Sequence, residues 1–188
     1  LYGLALDQGL VHSESLLVDA PQNFSGYSPG NFFDAFNGPV SVAQALRLSL
    51  NVPAVDLLER IGPGRFAATL EHAGLALRWP DGGKPNLALI LGGAGVRMEQ
   101  LMPLYAALAR DGYVRPLHWL QQPETDASSR RLLSPGAAWI VQRMLAEHPL
   151  SESDALFRSA LPRRLAFKTG TSFGFRDAWA FASDEKLT

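Results

Sequence analysis

The spacing of apolar residues changes character once along this chain, and that change limits the folds open to it. From position 42 to about position 145, apolar residues recur at intervals of three and four, which is typical of helices that pack on one face. The runs 164–171 and 176–183 are instead short, apolar and aromatic, and a few residues join them. This pattern predicts an antiparallel hairpin. Helices first and a hairpin last indicate an α+β fold in which helices pack on an antiparallel sheet.

Serine caps and prolines predict where the helices begin and end. Ser41 precedes one helical pattern, and Ser134 precedes another whose first residue is Pro135, a favoured residue at the first helical position. Pro53 disfavours helical geometry at the residue before it, so the helix that starts after Ser41 is expected to end near Asn51. The other helices are expected over 53–61, about 65–73 and about 98–110.

The first 39 residues carry fewer helical signals. Residues 1–10 are predicted to be the end of a helix that Gly9 closes, because glycine readily takes the left-handed conformation of a helix carboxyl end. Residues 11–39 combine glycine and proline with several aromatic residues. A polar linker would not carry so many aromatic side chains, so we expect an irregular loop packed on the domain surface.

Composition excludes several classes of protein. The 188 residues include 17 Lys and Arg and 18 Asp and Glu, giving a formal net charge of −1, and no basic excess favours a nucleic-acid partner. The absence of cysteine excludes disulfides and thiol catalysis. No run of about 18 apolar residues is present, so we expect no membrane contact by this segment itself. The four histidines show no paired ligand spacing, and we expect neither a metal nor a cofactor.

The strongest local signal for chemistry is Lys168-Thr169-Gly170-Thr171, at the end of the first predicted strand of the hairpin. A lysine in an otherwise apolar strand is costly to bury without a polar partner. The two threonine hydroxyls share a face because strand side chains alternate, and Gly170 allows a ligand close to the backbone. Such an edge suits a peptide carboxylate. The alternative is an ordinary exposed lysine before a turn.

A second signal is Ser49-Leu50-Asn51. The helix face that carries Val42, Ala45 and Leu46 brings Ser49 to its buried side, so both polar side chains could face a cleft at the helix end. The alternative is that Ser49 hydrogen-bonds to its own helix and Asn51 ends it.

Several stretches, in this order, resemble the transpeptidase domain of class A penicillin-binding proteins, and the last resembles most closely the 1C subgroup. They are Tyr27-Ser28-Pro29-Gly30-Asn31, Phe36-Asn37-Gly38-Pro39-Val40, Ala45-Leu46, Ser49-Leu50-Asn51-Val52-Pro53-Ala54-Val55, Leu91-Gly92-Gly93, Tyr105-Ala106, Ser134-Pro135, and Lys168-Thr169-Gly170-Thr171-Ser172 with 175–180. The family's motif set comprises Ser-x-x-Lys, a Ser-x-Asn element and Lys-Thr-Gly.

The resemblance implies serine acyl transfer on the serine beta-lactamase and penicillin-binding transpeptidase fold. A serine attacks the carbonyl between two D-alanines of a peptidoglycan stem peptide, and a neighbouring amine takes the acyl group. By resemblance, Ser49 would relay protons, and Asn51 would bind the substrate's amide. Lys168, Thr169 and Gly170 would hold the terminal carboxylate together with Thr171, whose backbone N–H would also serve the oxyanion hole.

The departure from the family lies in the nucleophile. The one literal Ser-x-x-Lys is Ser183-Asp184-Glu185-Lys186, which follows Lys-Thr-Gly at a strand end, and we interpret it as a chance match. The segment that follows the family's nucleophile motif resembles residues 1–9. We therefore expect the nucleophile a few residues upstream of Leu1, and residues 1–188 to be a partial domain that also lacks the closing strand and helix. Alone, this chain is expected to be inactive.

Two alternatives stay open on the same fold: a degenerate penicillin-recognising sensor module, and a beta-lactamase or D,D-carboxypeptidase. The expected ligands are peptidoglycan stem peptides and beta-lactams. By resemblance, the parent protein would lie at the periplasmic face of the bacterial inner membrane.

Overall fold

In the computed structural model, the residues described are 1–32, 35–118, 120, 129–147, 165–172 and 176–184. The helices are α1 (Tyr2–Asp7), α2 (Val42–Arg47), α3 (Asn51–Ile61), α4 (Pro63–His72), α5 (Met98–Ala106) and α6 (Pro135–Ala146). The strands are β1 (Leu16–Asp19), β2 (Gly38–Ser41), β3 (Tyr113–Val114), β4 (Arg130–Arg131), β5 (Ala166–Thr171) and β6 (Ala178–Ser183). Short 3₁₀ segments cover Pro80–Gly82, Leu87–Leu91 and Ala107–Ala109. No helix within these ranges has the length and apolarity to cross a bilayer.

The strands pair as three two-stranded antiparallel sheets within the described ranges: β1 with β2, β3 with β4, and β5 with β6. The β5–β6 pair is the predicted hairpin, in register from Ala166 opposite Ser183 to Thr171 opposite Ala178. Helices therefore pack with antiparallel sheet, as the α+β prediction required. Position 164, at the start of the first predicted strand, and the connection at 173–175 lie outside the described residues.

The prediction of an irregular loop over 11–39 was wrong in part, because β1 lies within it. Leu17 and Asp19 point inward while Leu16 and Val18 are exposed, which is the alternation of a half-buried strand. The partner strand β2 starts only at Gly38, so no tight-turn signal links the two strands. A strand of four residues with a distant partner leaves little local pattern to recognise.

The core lies where α3 packs between α1, α2 and the β1 strand, with α6 closing the other side. Leu57 and Leu58 of α3 are fully buried, as are Ala5 of α1 and Ala138 of α6. At roughly 25 cal/mol per Å² of apolar surface, each large side chain in this cluster contributes about 1.5–3 kcal/mol. Helices α1, α3 and α6 are therefore held together by one apolar cluster.

The capping predictions at α2 and α6 are confirmed. Ser41 Oγ accepts a hydrogen bond from the Gln44 N–H at 3.2 Å, and Gln44 Oε1 accepts from the Ser41 N–H at 3.0 Å, which together form a capping box. Ser134 Oγ accepts from the Ala137 N–H at 3.1 Å. Gly9 follows α1 with φ of +65°, as expected of a residue at a helix carboxyl end.

Among the described glycines, Gly112 has the least room for a side chain. Its φ is +82°, and a Cβ there would lie 2.1 Å from the carbonyl oxygen of Leu133. The Gly112 carbonyl accepts hydrogen bonds from the N–H groups of Leu132 and Leu133 at 2.9 and 3.2 Å. A side chain cannot fit there, so glycine is what lets the chain after α5 pass against the strand that leads into α6.

Candidate active site

The loop between α2 and α3 presents Ser49, and it does so differently from the prediction. Helix α2 ends at Arg47 rather than near Asn51, and Ser49 takes a left-handed conformation with φ of +54°. The Ser49 N–H donates to Leu46 O at 3.2 Å, which closes the helix end. Ser49 is therefore exposed beyond the helix instead of lying on its buried side.

Asn51 begins α3 rather than ending α2, which corrects the second part of the prediction. The sequence predicts a helix break before Pro53, but this proline lies in the first turn of α3. The first four N–H groups of a helix have no partner within the helix, so a proline costs little there. The actual break is the left-handed Ser49.

Lys168 lies in β5 with its side chain partly buried. It pairs across the sheet with Phe181 of β6, so both side chains stand on the same face. Phe181 is buried and stacks on Tyr105 of α5, with ring centroids 4.4 Å apart and planes within 6°. Burial lowers the pKa of the Lys168 ammonium below its ordinary value of 10.5. The aromatic packing therefore holds the strand in place and removes water from the lysine.

The two predicted motifs meet at their polar side chains. Lys168 Nζ donates hydrogen bonds to Ser49 Oγ and to the carbonyl oxygen of Thr169. The serine and the lysine are 119 positions apart in the sequence, so only the folded domain brings them together. A hydroxyl in contact with an ammonium of lowered pKa can exchange a proton with it, which is the chemistry expected of a relay.

The outer edge of β5 carries backbone groups that β6 does not pair, although the Thr169 carbonyl among them accepts a hydrogen bond from Lys168 Nζ. The Ser172 N–H donates to Asp177 O at 2.9 Å, and bonded and non-bonded pairs alternate along an antiparallel ladder. By that alternation, the backbone N–H and C=O groups of Thr169 and Thr171 point away from β6. No other strand that the structure describes pairs with this edge. An extended peptide could add to it as a further strand.

The threonine side chains and the lysine lie on opposite faces of β5, because side chains alternate along a strand. Thr169, Gly170 and Thr171 are all exposed, and a Cβ on Gly170 would meet no atom within 4 Å. The two hydroxyls share a face, as predicted, and are open to a ligand. The cation, in contrast, faces Ser49.

The end of the hairpin is fixed by contacts that sequence reasoning missed. The Asp177 N–H donates to Ser172 Oγ at 2.9 Å, and Ser172 Oγ donates to Asp177 Oδ2 at 3.2 Å. Gly92, with φ of +95°, brings the segment after Leu87–Leu91 close to the hairpin, since a Cβ there would lie 3.4 Å from Ser172 Cβ. The only sequence signal for these contacts is that Ser172 and Asp177 lie five positions apart at the two ends of a short connection.

The remaining candidates lie apart from this pair. Ser183, from the literal Ser-x-x-Lys, is buried in β6 opposite Ala166, and Lys186 lies outside the described residues. Within the described ranges, no three His, Cys, Asp or Glu side chains group as metal ligands do. A cavity of about 580 Å³ is lined by other residues, among them Gly74, Glu99, Pro103 and Arg130.

The family described as penicillin-binding protein transpeptidase domain matches residues 1–179. The chain therefore belongs to this family, and the resemblance noted from its motifs is confirmed. Among its relatives, the chain is 52% identical over 182 residues to penicillin-binding protein 1C of Escherichia coli (strain K12), covering 96% of this chain and 23% of that protein.

More distant relatives agree with this assignment. Penicillin-binding protein 1F of Bacillus subtilis (strain 168) is 29% identical over 205 residues, covering 100% of this chain and 28% of that protein. The solved structure of PonA1 from Mycobacterium tuberculosis in complex with penicillin V has a TM-score of 0.74 at 26% identity, covering 97% of this chain and 55% of that chain. The chain thus spans about a quarter of the length of these two curated relatives, 23% and 28%.

Proposed function

We propose that this chain is part of a peptidoglycan D,D-transpeptidase that cross-links stem peptides by serine acyl transfer and is acylated by beta-lactams. The observation that carries the proposal is the contact between Lys168 and Ser49, which joins the Lys-Thr-Gly and Ser-x-Asn elements at one place. Family membership and the penicillin V complex of PonA1 support the substrate class. By the same membership, we propose a site of action on the periplasmic face of the bacterial inner membrane.

In this proposal, Ser49 and Lys168 form the proton relay. Ser49 Oγ accepts a hydrogen bond from Lys168 Nζ, so the hydroxyl can give up its own proton to a leaving amine and recover one from the lysine. The lowered pKa of Lys168 brings its proton affinity closer to neutral pH, which favours such an exchange.

The outer edge of β5 is the proposed carboxylate and oxyanion site. The hydroxyls of Thr169 and Thr171 would bind the terminal carboxylate of the substrate, and exposed Gly170 leaves room for it. The Thr171 N–H, directed away from β6, would donate to the developing oxyanion. Asn51 would hydrogen-bond the substrate amide from the other side.

The nucleophile is proposed to come from a Ser-x-x-Lys element of a longer protein, preceding Leu1. The only such tetrad in these 188 residues starts at Ser183, whose side chain is 3% exposed. We therefore propose that the chain by itself forms no acyl-enzyme. Intact-mass spectrometry after exposure to penicillin tests this, and a stable adduct mapped to Ser49 or Ser183 would refute it.

The decisive experiment for the function uses the longer protein with its preceding segment. Fluorescent penicillin should label it, and Lys168→Ala should slow labelling by about 10²-fold or more, the contribution usual for a positioned acid–base group. Lys84→Ala is the matched control, because Lys84 is an exposed lysine of the same chain. If both variants are labelled at the same rate, Lys168 is not part of the active site.

Absence of labelling in the longer protein would instead favour a binding module on the same fold. Such a module would keep the exposed outer edge of β5 and lack the attacking group. Hydrolysis of the labelled acyl-enzyme at a catalytic rate would favour a beta-lactamase or carboxypeptidase.

A further inference from the structure

Asp19, at the end of β1, is a fully buried carboxylate that the proposed mechanism does not use. It accepts three hydrogen bonds: from Asn31 Nδ2 at 2.7 Å, and from the backbone N–H and the Nδ2 of Asn37, both at 2.8 Å. A buried charge is costly unless it is hydrogen-bonded, and bonds to an ionised acceptor are the strong ones. Asp19 therefore organises the chain around it.

The carboxylate decides which way the Asn31 amide points. An ionised carboxylate only accepts hydrogen bonds, so Asn31 must turn its Nδ2 toward Asp19, and the carbonyl of Ala35, at 2.9 Å from the same Nδ2, requires the same orientation. The Asn31 Oδ1 is then directed the other way. There it accepts a hydrogen bond from the Asn51 N–H at 2.9 Å.

That last bond caps α3 from a distance. Asn51 is the first residue of the helix, and its N-cap Leu50 provides no side-chain cap. Asn31, 20 positions earlier, satisfies the orphan N–H instead. The Asn51 side chain is held as well, since its Nδ2 donates to Gly30 O at 2.7 Å. Both the backbone and the side chain of Asn51 are thus tied to residues 30 and 31.

We infer that Asp19 is a positioning residue for the active site, acting through Asn31 to hold Asn51 and, with it, the loop that presents Ser49 to Lys168. The inference rests on the function proposed above. Asp19 contacts neither Ser49 nor Lys168 in any hydrogen bond described, so it takes no part in the chemistry itself. It fixes the Asn31 amide, the amide fixes the start of α3, and the Ser49 loop ends at that start.

The test is Asp19→Asn in the longer protein that carries the nucleophile. The new amide keeps the shape but turns one acceptor into a donor that faces other N–H donors, so the Asn31 amide keeps only the Ala35 carbonyl to orient its Nδ2. We expect acylation by fluorescent penicillin to slow about tenfold, since small misplacements in an active site cost factors of this size or more. Hydrogen exchange of the Asn51 N–H should accelerate about tenfold with the loss of its acceptor.

Asp19→Asn combined with Asn31→Asp is the rescue variant. It restores the bond between the two side chains with donor and acceptor exchanged, and it keeps an acceptor for the Asn51 N–H. The Ala35 carbonyl loses its donor, so the expected recovery is partial. We expect acylation and exchange to return toward the wild-type values, as a double-mutant cycle would detect. Leu17→Ala is the control for general weakening, because Leu17 is a buried neighbour on the same strand with a side chain outside this network. At equal loss of Tm, it should leave acylation by the folded protein unchanged.

The outcomes separate this inference from the function on which it rests. Slower acylation in Asp19→Asn with recovery in the double variant supports it. Acylation unchanged in Asp19→Asn, or slowed equally in Leu17→Ala at the same Tm, overturns it. If the wild-type protein is not acylated, the proposed function fails, and exchange of the Asn51 N–H decides whether Asp19 positions α3. Should Asp19→Asn not fold, Asn31→Ala tests the next link, because it removes the acceptor of the Asn51 N–H and leaves the Asn37 bonds to Asp19 intact; unchanged acylation in that variant overturns the inference.

Discussion

Replacing Ser49 by glycine and by alanine separates the two things that this residue does. Its backbone is left-handed, with φ of +54°, which costs a residue with a Cβ about 1 kcal/mol that glycine avoids. Both substitutions remove the hydroxyl and its bond to Lys168 equally, and the side chain is exposed, so no cavity forms. The difference between the two variants therefore isolates the backbone term. We expect Ser49→Gly to be more stable than Ser49→Ala by about 1 kcal/mol, or about 2–4 °C in Tm for a domain of this size.

Acylation should follow the hydroxyl and not the backbone. In the longer protein, both variants should react with fluorescent penicillin about 10²-fold or more slowly than the wild type. Urea unfolding and thermal scans measure the stability difference, and the labelling rate measures the relay. Equal stability of the two variants would refute the strained conformation of Ser49. A glycine variant that still reacts at the wild-type rate would refute the relay.

Three further predictions concern stability. Burial lowers the pKa of Lys168 in the folded state below its ordinary value of 10.5. As pH rises from the folded pKa toward 10.5, the free energy of unfolding of the wild type should therefore rise relative to that of Lys168→Met, and below the folded pKa the difference should not change with pH. Urea unfolding across this range measures the difference, which would stay flat throughout if the lysine is not desolvated. Gly112→Ala should lower the free energy of unfolding by at least about 3 kcal/mol, because its Cβ would overlap a backbone carbonyl. Gly74→Ala, with φ of +102° and free space around the Cβ, should lower it by only about 1 kcal/mol. Equal losses in urea unfolding would contradict the close contact at Gly112. Arg47→Ala should cost about 1.5 kcal/mol, since the Arg47 guanidinium donates to the Met144 carbonyl, near the end of α6, at 2.9 Å. Glu147→Gln removes the charge from two partly exposed ion pairs, with Arg47 and Arg143, and should cost less than about 1 kcal/mol; the reverse order in chemical denaturation would count against this assignment.

Local chemistry in the sequence predicted the helix starts well. Ser41 and Ser134 cap their helices through bonds that span three residues, so the signal and the structure lie in the same short window. The hairpin was equally readable, because its strands are close in sequence. The α+β class followed from these elements.

Features set by distant contacts could not be predicted from local pattern. Pro53 is compatible with both a helix break before it and a helix first turn, and the choice depends on the left-handed Ser49. Strand β1 ends at Asp19 and pairs with a strand that starts only at Gly38, and Asp19 gives no sign in the sequence of its asparagine partners. The meeting of Ser49 and Lys168 followed only from the order of motifs shared with the family, since no periodicity relates residues so far apart.

The contact between Ser49 and Lys168 has a consequence for the order in which parts of the domain fold. Closing a loop of 119 residues is entropically costly, so contacts of this range form after the local ones. The capped helices and the β5–β6 hairpin can form early, each from its own segment. The proposed relay requires that the two segments have docked, so in the longer protein reaction with a penicillin would report the last stage of folding. A nascent chain in which β5 has yet to be synthesised would already hold the serine and lack its cation.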